Sequence, residues 1–487
     1  MPCMRPTKTS RTQSSLQTIF TSKHPEHLLL SLLNNHHHHH QQIHSQIITS
    51  GLHHHINNKS MLLYNTLLKH YSRGSSPEDS LLLYNHLRRL SAHPLPDQSF
   101  TLSVLLKACA NSSRPCFGTQ LHCHSIKVGF GSHVYVQTAL LNMYVECGSF
   151  SNAVKVFDFM SVRNVVTWNA VLTGAAKCGR LELARDLFDA MPVKNVVSWT
   201  GLIDGYTRAG RALEAVGFLR RMMGEGVKPS EITVLVIIPA ISNLGMLCLG
   251  ESVHAYGEKN GHGLFDVRVS NSYIDLYAKC GSIGNAGRVF FGLGERRNLV
   301  SWTSMISGFA MHGMAGEAVE WFGEMVVEGW RPNRVTLLCV LSACSHGGLV
   351  EQGLRFFHDM VCEYGIMPEV KHYGCVVDML GRAGRLAEAE KLAMRMPAEE
   401  ESVVVWRTLL GSCNFHGNTE MGERVMRRIM MMERRYGGDY VVLYNMLSGD
   451  GRFGDAEMVR SLLDERDVYK VPGITLIGGK EQDLNCL

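Results

Sequence analysis

Apolar residues recur along most of this chain at the spacing of amphipathic helices. In the stretch after Asn164, positions i, i+3, i+4 and i+7 hold Trp168, Val171, Leu172 and Ala175. In the stretch after Gly179, the corresponding apolar positions are Ala184, Leu187, Phe188 and Met191. Each stretch therefore predicts a short helix with one apolar stripe, and the glycine between them permits a turn.

This two-helix pattern is itself repeated. Asn-Val-Val-Thr-Trp-Asn at 164–169 returns as Asn-Val-Val-Ser-Trp-Thr at 195–200 and as Asn-Leu-Val-Ser-Trp-Thr at 298–303. With the residue after Asn as position 1, repeats begin at residues 134, 165, 196, 231, 267, 299, 334 and 370, which are 31 to 36 residues apart. One hairpin cannot bury its stripes alone, so the pattern predicts an all-α fold, a right-handed α-solenoid of stacked helix-turn-helix repeats with a concave face.

Further columns agree with this register. Position 15 is glycine at Gly148, Gly179, Gly210, Gly281, Gly313 and Gly384. Position 20 is alanine at Ala153, Ala184, Ala215, Ala286, Ala318 and Ala389. Position 27 is apolar at Met160, Met191, Met222, Leu293, Met325 and Met396. Position 14 is cysteine at Cys147, Cys178 and Cys280, so three of the 14 cysteines mark a repeat position rather than a metal site.

The composition excludes several classes of protein. The 487 residues contain 48 Lys and Arg against 44 Asp and Glu, a formal net charge of +4, and the whole excess lies in residues 1–60. This balance excludes a histone-like polycation and an acidic disordered chain. No apolar run reaches the length of about 18 residues that a membrane span needs. The cysteines form no CxxC pair and fit a reducing compartment, with thiols packed as small apolar groups.

The first residues differ from the repeats. Residues 1–25 contain four basic residues, many Ser and Thr, and no Asp or Glu, which is typical of an organelle transit peptide. Residues 1–60 are therefore interpreted as a transit peptide and low-complexity leader. The tracts His36–His40 and His53–His55 lie in Gln- and Asn-rich sequence without fixed ligand spacing, so no metal site is expected there.

A 34-residue tetratricopeptide array is the nearest alternative for such a repeat. Here the lengths vary among about 31, 35 and 36 residues, and two of the longer repeats close with Lys-Pro-Ser (228–230) and Arg-Pro-Asn (331–333). Together with the Val-Val-Thr-Trp-Asn starts, this closely resembles the plant pentatricopeptide repeat (PPR) family, PLS subclass. The resemblance covers roughly residues 61–477.

The resemblance implies a division of the chain. Residues 61–402 correspond to an array of about ten P, L and S repeats. Residues 403–477 resemble the E-type C-terminal motifs of the family, with Val405-Trp406-Arg407 in the first motif and Val471-Pro472-Gly473 in the second. Residues 478–487 form a tail. The Ser-Trp-Ile segment of many relatives is Thr475-Leu476-Ile477 here, without the aromatic residue.

The resemblance also implies how the array binds single-stranded RNA. In this family one repeat reads one base through position 5 and the last residue of the repeat. The predicted RNA-binding pairs are Asn65 with Asp97 (or Gln98), Thr138 with Asn164, Asn169 with Asn195, Thr200 with Ser230, Asn271 with Asn298, and Thr303 with Asn333. The family's code implies the bases U, A, C or U, a purine, C or U, and A, from 5′ to 3′. Amide and hydroxyl groups suit this role because they donate and accept hydrogen bonds.

Other interpretations of these positions stay open. Asn, Asp or Ser before a helix is also a good N-cap. At position 2, Val166, Val197 and Val300 would wedge between bases by resemblance, and core packing is the competing interpretation. Three position-5 residues cannot read a base edge and are expected to space the array: Leu235, Leu338 and Gly374.

The sequence predicts no enzyme, and neither a metal nor a cofactor. A zinc deaminase needs H-x-E with P-C-x-x-C, yet the His24-x-Glu26 match lies in the leader and no CxxC pair accompanies it. His122 and His124 flank Cys123 within a repeat, and are interpreted as a helix face rather than a ligand set.

Taken together, the resemblance implies a mitochondrial protein, with the chloroplast as the alternative. It would bind a specific organelle transcript and direct C-to-U RNA editing through a separate deaminase-bearing protein that contacts residues 403–477. Neither a membrane nor a small-molecule substrate is expected. Two alternatives remain: an RNA binder acting in transcript stability, splicing or translation without editing, and a tetratricopeptide-like protein scaffold.

Overall fold

The computed structural model describes residues 42, 44–45, 58–74, 76–90, 99–261, 266–397, 402–433 and 436–465. Most of the predicted leader, Asp97, Gln98, and the segment from residue 466 onward lie outside these residues. The described part contains 24 α-helices and a short 3-10 turn at Gly294–Arg296. The chain divides into two compact units, one ending at Ala240 and the next beginning at Ile241.

The helices alternate as first and second members of hairpins. In the first unit the first helices are α1 (Asn58–Arg73), α3 (Ser99–Asn111), α5 (Val134–Glu146), α7 (Val165–Lys177) and α9 (Val196–Arg208). Their second helices are α2 (Glu78–Leu90), α4 (Pro115–Lys127), α6 (Phe150–Phe159), α8 (Leu181–Ala190) and α10 (Ala212–Gly224). The boundary between the units falls within α11 (Glu231–Asn243), which α12 (Leu247–Lys259) follows.

The second unit continues the alternation. Its first helices are α13 (Val267–Lys279), α15 (Leu299–Met311), α17 (Arg334–Gly347), α19 (Val370–Arg382), α21 (Val403–Phe415) and α23 (Gly437–Gly449). Its second helices are α14 (Ile283–Gly292), α16 (Ala315–Val327), α18 (Val350–Cys362), α20 (Leu386–Met394), α22 (Thr419–Met432) and α24 (Phe453–Glu465).

Within each unit, successive first helices pack against one another and against their own second helices. One layer of first helices therefore lies on one layer of second helices, and the prediction of an all-α solenoid of helix-turn-helix repeats is confirmed within each unit. The repeats counted from 134 to 370 coincide with helix starts, because Val134, Val165, Val196, Val267 and Leu299 are each the first residue of a helix.

The glycine column forms the turns. Gly148, Gly179, Gly210 and Gly281 all have φ between 72° and 80°, in the left-handed region that other residues rarely adopt. The chain therefore reverses direction at the position that the repeated glycine predicted.

The core also follows the columns. All six position-20 alanines are fully buried, and the position-27 residues are at most 8% exposed. An edge-to-face aromatic pair spans adjacent repeats, with ring centroids of Phe188 and Trp199 4.5 Å apart and those of Phe290 and Trp302 4.8 Å apart. The apolar stripes of each hairpin are thus buried partly by the next hairpin, as expected for a stacked array.

Side chains of complementary size face each other where adjacent hairpins pack. Gly250 occupies position 20 where other repeats have alanine, and a Cβ built there would lie 2.8 Å from Cδ2 of Leu276, at position 10 of the next repeat. A second close approach occurs one repeat later, between Gly308 of α15 and Ala278 of α13. A Cβ on Gly308 would lie 2.8 Å from the Cβ of Ala278. A large residue on one side of the interface therefore requires a small one on the other.

Arginines at position 16 join second helices of adjacent hairpins. Arg211 pairs with Glu214 in its own helix and, at 2.6 Å, with Glu182 of the preceding hairpin. Arg385 pairs in the same way with Glu388 and with Glu351, both at 2.6 Å. These pairs are solvent-exposed, so each adds little stability alone, but they recur at the same register and orient neighbouring hairpins.

Two expectations from composition have simple outcomes. Among the described residues, no helix is long and apolar enough to cross a membrane. The expectation of buried thiols holds for Cys109, Cys344 and Cys413, and burial raises the pKa of each of these thiols. It is wrong for five described cysteines that are exposed, which are Cys116, Cys123, Cys178, Cys248 and Cys362.

Candidate nucleic-acid interface

The predicted reading residues meet where two first helices stack. The last residue of a repeat, called the closing residue here, is the N-cap of the next first helix. Position 5 lies one turn into the preceding first helix, and the two helices pack side by side. Position 5, the closing residue and position 3 of the next repeat therefore converge at each junction.

The junction between α13 and α15 brings all three side chains into contact. Asn271 Nδ2 donates to Asn298 Oδ1 at 3.2 Å, and Ser301 Oγ donates to Asn271 Oδ1 at 2.7 Å. Asn298 Oδ1 also accepts from the backbone N–H of Ser301 at 3.1 Å. Both carboxamide oxygens are therefore occupied by protein donors, and the remaining polar groups of the pair are amide N–H groups.

The junction between α7 and α9 holds the same pair of residues with different bonding. Asn169 Nδ2 lies 3.4 Å from Asn195 Oδ1, a long contact. Ser198 Oγ donates to Asn195 Oδ1 at 3.0 Å and not to Asn169. Asn169 Oδ1 is buried without a hydrogen-bond partner among the described residues. An unpaired buried carbonyl is costly, so this junction has an acceptor whose hydrogen-bonding capacity is not used by the described residues.

Threonine at position 5 forms a second kind of junction. Thr303 Oγ1 donates to the carbonyl of Leu299 at 2.8 Å and lies 2.8 Å from Thr336 Oγ1. The closing residue Asn333 accepts the backbone N–H of Thr336 at 2.9 Å.

The junction from Thr200 is built alike. Its hydroxyl donates to the carbonyl of Val196 at 2.7 Å and lies 2.7 Å from Thr233 Oγ1. The closing residue Ser230 lies 3.0 Å from the same Thr233 hydroxyl. Thr200 and Ser230 are therefore linked through Thr233 rather than directly.

Thr138 and Asn164 are not joined by a hydrogen bond in the described structure. Thr138 Oγ1 donates to the carbonyl of Val134 at 2.7 Å, while Asn164 accepts the N–H of Thr167 at 2.9 Å. For the first predicted pair, Asn65 accepts from Thr101 Oγ1 at 2.8 Å, and its partner Asp97 is outside the described residues.

The N-cap interpretation is confirmed for the closing asparagines. The side chains of Asn164, Asn195, Asn298 and Asn333 each accept from a backbone N–H in the first turn of the following helix. The cap uses Oδ1 and leaves Nδ2, so capping and contact with a ligand are compatible in one side chain.

Core packing at position 2 is wrong. Val166, Val197 and Val300 are 61%, 53% and 55% exposed. Each is the second residue of its helix and lies in the first turn, before the tryptophan at which the apolar stripe begins. An exposed branched apolar side chain therefore stands beside each of three junctions.

Two closing residues of the repeats expected to act as spacers are already paired with arginines. Asp266 pairs with Arg268, whose hydrogen bonds hold the pKa of the Asp266 carboxyl below its usual range. Glu369 pairs with Arg334 at 2.7 Å. At position 5 these repeats have Leu235 and Leu338, which carry no polar group.

Family profiles and relatives agree with this architecture. The PPR repeat family matches residues 194–243 and 297–346, and the PPR repeat matches residues 138–165, 166–196, 335–364 and 371–399. A mitochondrial pentatricopeptide repeat-containing protein of Arabidopsis thaliana is 51% identical over 424 residues, covering 85% of this chain and 84% of the relative. The chain belongs to the pentatricopeptide repeat family.

Other PPR proteins are more distant. A chloroplastic pentatricopeptide repeat-containing protein of Arabidopsis thaliana is 34% identical over 421 residues, covering 85% of this chain and 58% of the relative. The crystal structure of the pentatricopeptide repeat protein PPR10 from maize is 16% identical, with a TM-score of 0.46, covering 92% of this chain and 79% of that chain.

The C-terminal hairpins of this PPR protein reuse the junction with different residues. Arg407 lies at position 5 of α21, Tyr436 is the N-cap of α23, and Asp439 is at position 3 of α23. Arg407 donates to both carboxylate oxygens of Asp439 at 2.8–2.9 Å and to Glu433 at 3.0 Å. Its guanidinium lies 4.4 Å from the ring centroid of Tyr436, and hydrogen bonding to Asp439 raises the pKa of Arg407.

The position-3 hydroxyls of the PPR repeats were missed by sequence reasoning. They are buried and hydrogen-bonded at the junctions: Thr101, Thr167, Ser198, Thr233, Ser301 and Thr336. The signal was present, since Ser or Thr recurs two residues after the repeat start. This recurrence does not by itself indicate a functional role, because a hydroxyl in the first turn of a helix is ordinarily explained by capping.

The sequence predicts no metal ligands, and the His and Cys side chains that were weighed for that role do not gather into a site where the structure describes them. Among the described residues, no group of three or more His, Cys, Asp and Glu side chains could hold a metal ion. His122 Nδ1 is hydrogen-bonded to the hydroxyl of Tyr144 at 2.9 Å, and burial lowers the pKa of His122. Both histidine tracts and His24-x-Glu26 lie outside the described residues.

Proposed function

We propose that this PPR protein binds single-stranded RNA in an organelle, with bases contacting the junctions between first helices. The observation that carries the proposal is the Asn271–Asn298 junction, where both oxygens are occupied within the protein and the spare groups are N–H donors. The uncompensated oxygen of Asn169 supports it further. Exposed valines at position 2 beside these junctions supply apolar surface on which bases can stack.

The predicted pairs define the proposed RNA-binding residues. Asn169 with Asn195, and Asn271 with Asn298, would contact pyrimidines. Thr303 with Asn333, and Thr138 with Asn164, would contact adenine. Thr200 with Ser230 would contact a purine, and Asn65 with Asp97 would contact uracil.

We further propose that the RNA-bound protein is a specificity factor for C-to-U editing. This finer function assigns the repeats to the PLS subclass and residues 403–477 to E motifs that recruit a separate deaminase-bearing protein. It uses no cofactor of its own. The acid-free leader and the mitochondrial relative support import into mitochondria, with the chloroplast as the alternative.

Binding is tested with the purified full-length chain and a pool of randomised single-stranded RNA, sequenced before and after selection. We expect enriched RNAs to show pyrimidine at the two bases facing Asn169 and Asn271, and adenine at the base facing Thr303. Recovery of RNA without any base preference would contradict base reading, and no recovery would favour the protein-scaffold alternative.

Editing is tested in plants that lack the protein by sequencing organelle RNA at every editing site. Loss of editing at one or a few sites, restored by the wild-type chain but not by Asn169→Ala with Asn271→Ala, is the expected result. Unchanged editing with an altered abundance or splicing of one transcript would favour the RNA binder that acts without editing.

A further inference from the structure

We propose that at the Asn271 and Thr303 junctions the position-3 side chain sets the base preference of the preceding repeat, by determining which hydrogen-bonding group position 5 presents to RNA. The inference rests on the proposed RNA binding and adds a specificity-determining residue to these two junctions. Position 3 is not itself placed to contact a base, because its hydroxyl is buried under position 5 and the closing residue. It therefore acts as a positioning residue.

At the Asn271 junction the hydroxyl turns the amide outward as a donor. Ser301 has one hydroxyl proton, and its shorter contact is the 2.7 Å bond to Asn271 Oδ1. Its lone pair accepts the backbone N–H of Asn298 at 3.2 Å. Asn271 then has one N–H beyond its bond to Asn298, and Asn298 has its own Nδ2 group.

Two adjacent donors fit one class of base edge. Cytosine offers the adjacent acceptors N3 and O2, and uracil offers the acceptors O2 and O4 on either side of its N3–H donor, so both pyrimidines present two acceptors on the Watson–Crick edge. Adenine presents one donor and one acceptor there. A pair held as donor and donor therefore favours pyrimidines.

At the Thr303 junction the hydroxyl has the opposite consequence. The Thr303 proton is donated to the carbonyl of Leu299. Thr336 has one hydroxyl proton and two acceptors, Thr303 Oγ1 at 2.8 Å and Asn333 Oδ1 at 3.1 Å, and we assign the proton to the shorter contact with Thr303. Thr303 can then offer only a lone pair. The closing Asn333 has its oxygen on the N–H of Thr336 and offers Nδ2, which makes an acceptor beside a donor, the complement of adenine N6–H and N1.

The Asn169 junction is a natural control. Ser198 is buried and caps its helix as Ser301 does, because each accepts the N–H of its closing asparagine at 3.2 Å. The structure gives Ser198 a bond to Asn195 and none to Asn169, however. Ser198→Ala and Ser301→Ala therefore remove the same cap, and only Ser301→Ala removes a bond to position 5.

The test compares Ser301→Ala with Ser198→Ala in the full-length chain. Each variant is titrated against selected RNAs in which the base facing its own junction is C, U, A or G. We expect Ser301→Ala to reduce the preference for pyrimidine over purine about five- to tenfold, and Ser198→Ala to change it less than about twofold. Ser301→Thr retains a hydroxyl and should keep the preference, which controls for folding together with the melting temperature of each variant.

Three outcomes decide between the ideas. Unchanged base preference in a folded, RNA-binding Ser301→Ala variant overturns this inference and leaves the proposed function intact. Equal loss in Ser301→Ala and Ser198→Ala also overturns it, because capping alone would then explain the effect. A wild-type chain that binds no RNA overturns the proposed function and this inference with it.

Discussion

Two junctions of the second unit place different chemistry at the same three positions. Between α13 and α15 the residues are Asn271, Asn298 and Ser301. Between α21 and α23 they are Arg407, Tyr436 and Asp439. In the first junction, neutral side chains satisfy one another only partly and leave N–H groups over. In the second, a guanidinium and a buried carboxylate bind each other through two oxygens and shield the contact with an aromatic ring.

The comparison separates the scaffold from its chemistry. Both junctions arise from the same stacking of first helices, so the backbone alone does not make a reading site. A neutral junction has side-chain donors that are not bonded within the protein, whereas Arg407 and Asp439 are hydrogen-bonded to each other. The closed junction therefore contributes stability, and the open junctions are available for a ligand.

Arg407→Ala should have the largest effect, and on stability alone. It leaves Asp439 as an unpaired buried carboxylate, which costs about 3 kcal/mol of the free energy of unfolding. Chemical denaturation followed by circular dichroism measures this. Lys279→Ala, which breaks the exposed pair with Asp275, is the control and should cost less than about 0.5 kcal/mol. Equal losses of unfolding free energy in the two variants, or a changed base preference in Arg407→Ala, would contradict the assignment of this junction to stability alone.

Asn271→Ala should show the converse pattern. We expect RNA with a pyrimidine at the facing base to bind about tenfold more weakly, because one donor of the pair is lost. The preference at that base should disappear while preferences elsewhere persist. Leu338→Ala changes a position-5 residue without polar groups and should alter no base preference. A fall in affinity without any change in preference would assign Asn271 a purely structural role.

The smallest effect concerns pH and the second helices. Burial lowers the pKa of His254, whose Nδ1 is hydrogen-bonded to the hydroxyl of Tyr277 at 2.8 Å, although Glu258 opposes the shift. The unfolded chain therefore binds a proton at higher pH, so stability is retained above the ordinary pKa of about 6.5 and is lost as pH falls through the lower folded value.

His254→Phe adopts the residue found at the equivalent Phe357, and removes this titration. We expect the drop in melting temperature between about pH 7.5 and about pH 5.5 to be smaller in this variant than in the wild type. An equal drop in both would show that other groups carry the pH dependence. RNA base preference should not respond, since His254 lies in the layer of second helices.

The sequence-based predictions are correct for features that depend only on the local sequence of one repeat. The turn glycines, the buried alanines at position 20 and the helix starts follow from local rules that each repeat obeys independently. They fail where two repeats act together. The fit of Gly250 against Leu276, and of Gly308 against Ala278, can be predicted only when both sides of the interface are known.

The candidate site shows the same limit. The repeat register predicts Asn271 and Asn298 as an RNA-reading pair, and the structure brings the two side chains together. The register also predicts Thr138 and Asn164, which are not hydrogen-bonded to each other because each bonds to the backbone of its own helix. Ser301 was not selected, because its bond to Asn271 spans 30 residues and depends on a hydroxyl orientation that no single repeat specifies.

The most direct test of base reading converts an Asn–Asn junction into a Thr–Asn junction by one substitution. Asn271→Thr creates a Thr–Asn pair like Thr303–Asn333 while leaving the cap of α15 and Ser301 unchanged. Titration of the purified variant with RNAs that differ only in the facing base measures the outcome. We predict that the preference of the variant at the facing base moves from pyrimidine to adenine. Binding that keeps its pyrimidine preference, or that weakens equally for all four bases, would contradict base reading by these junctions.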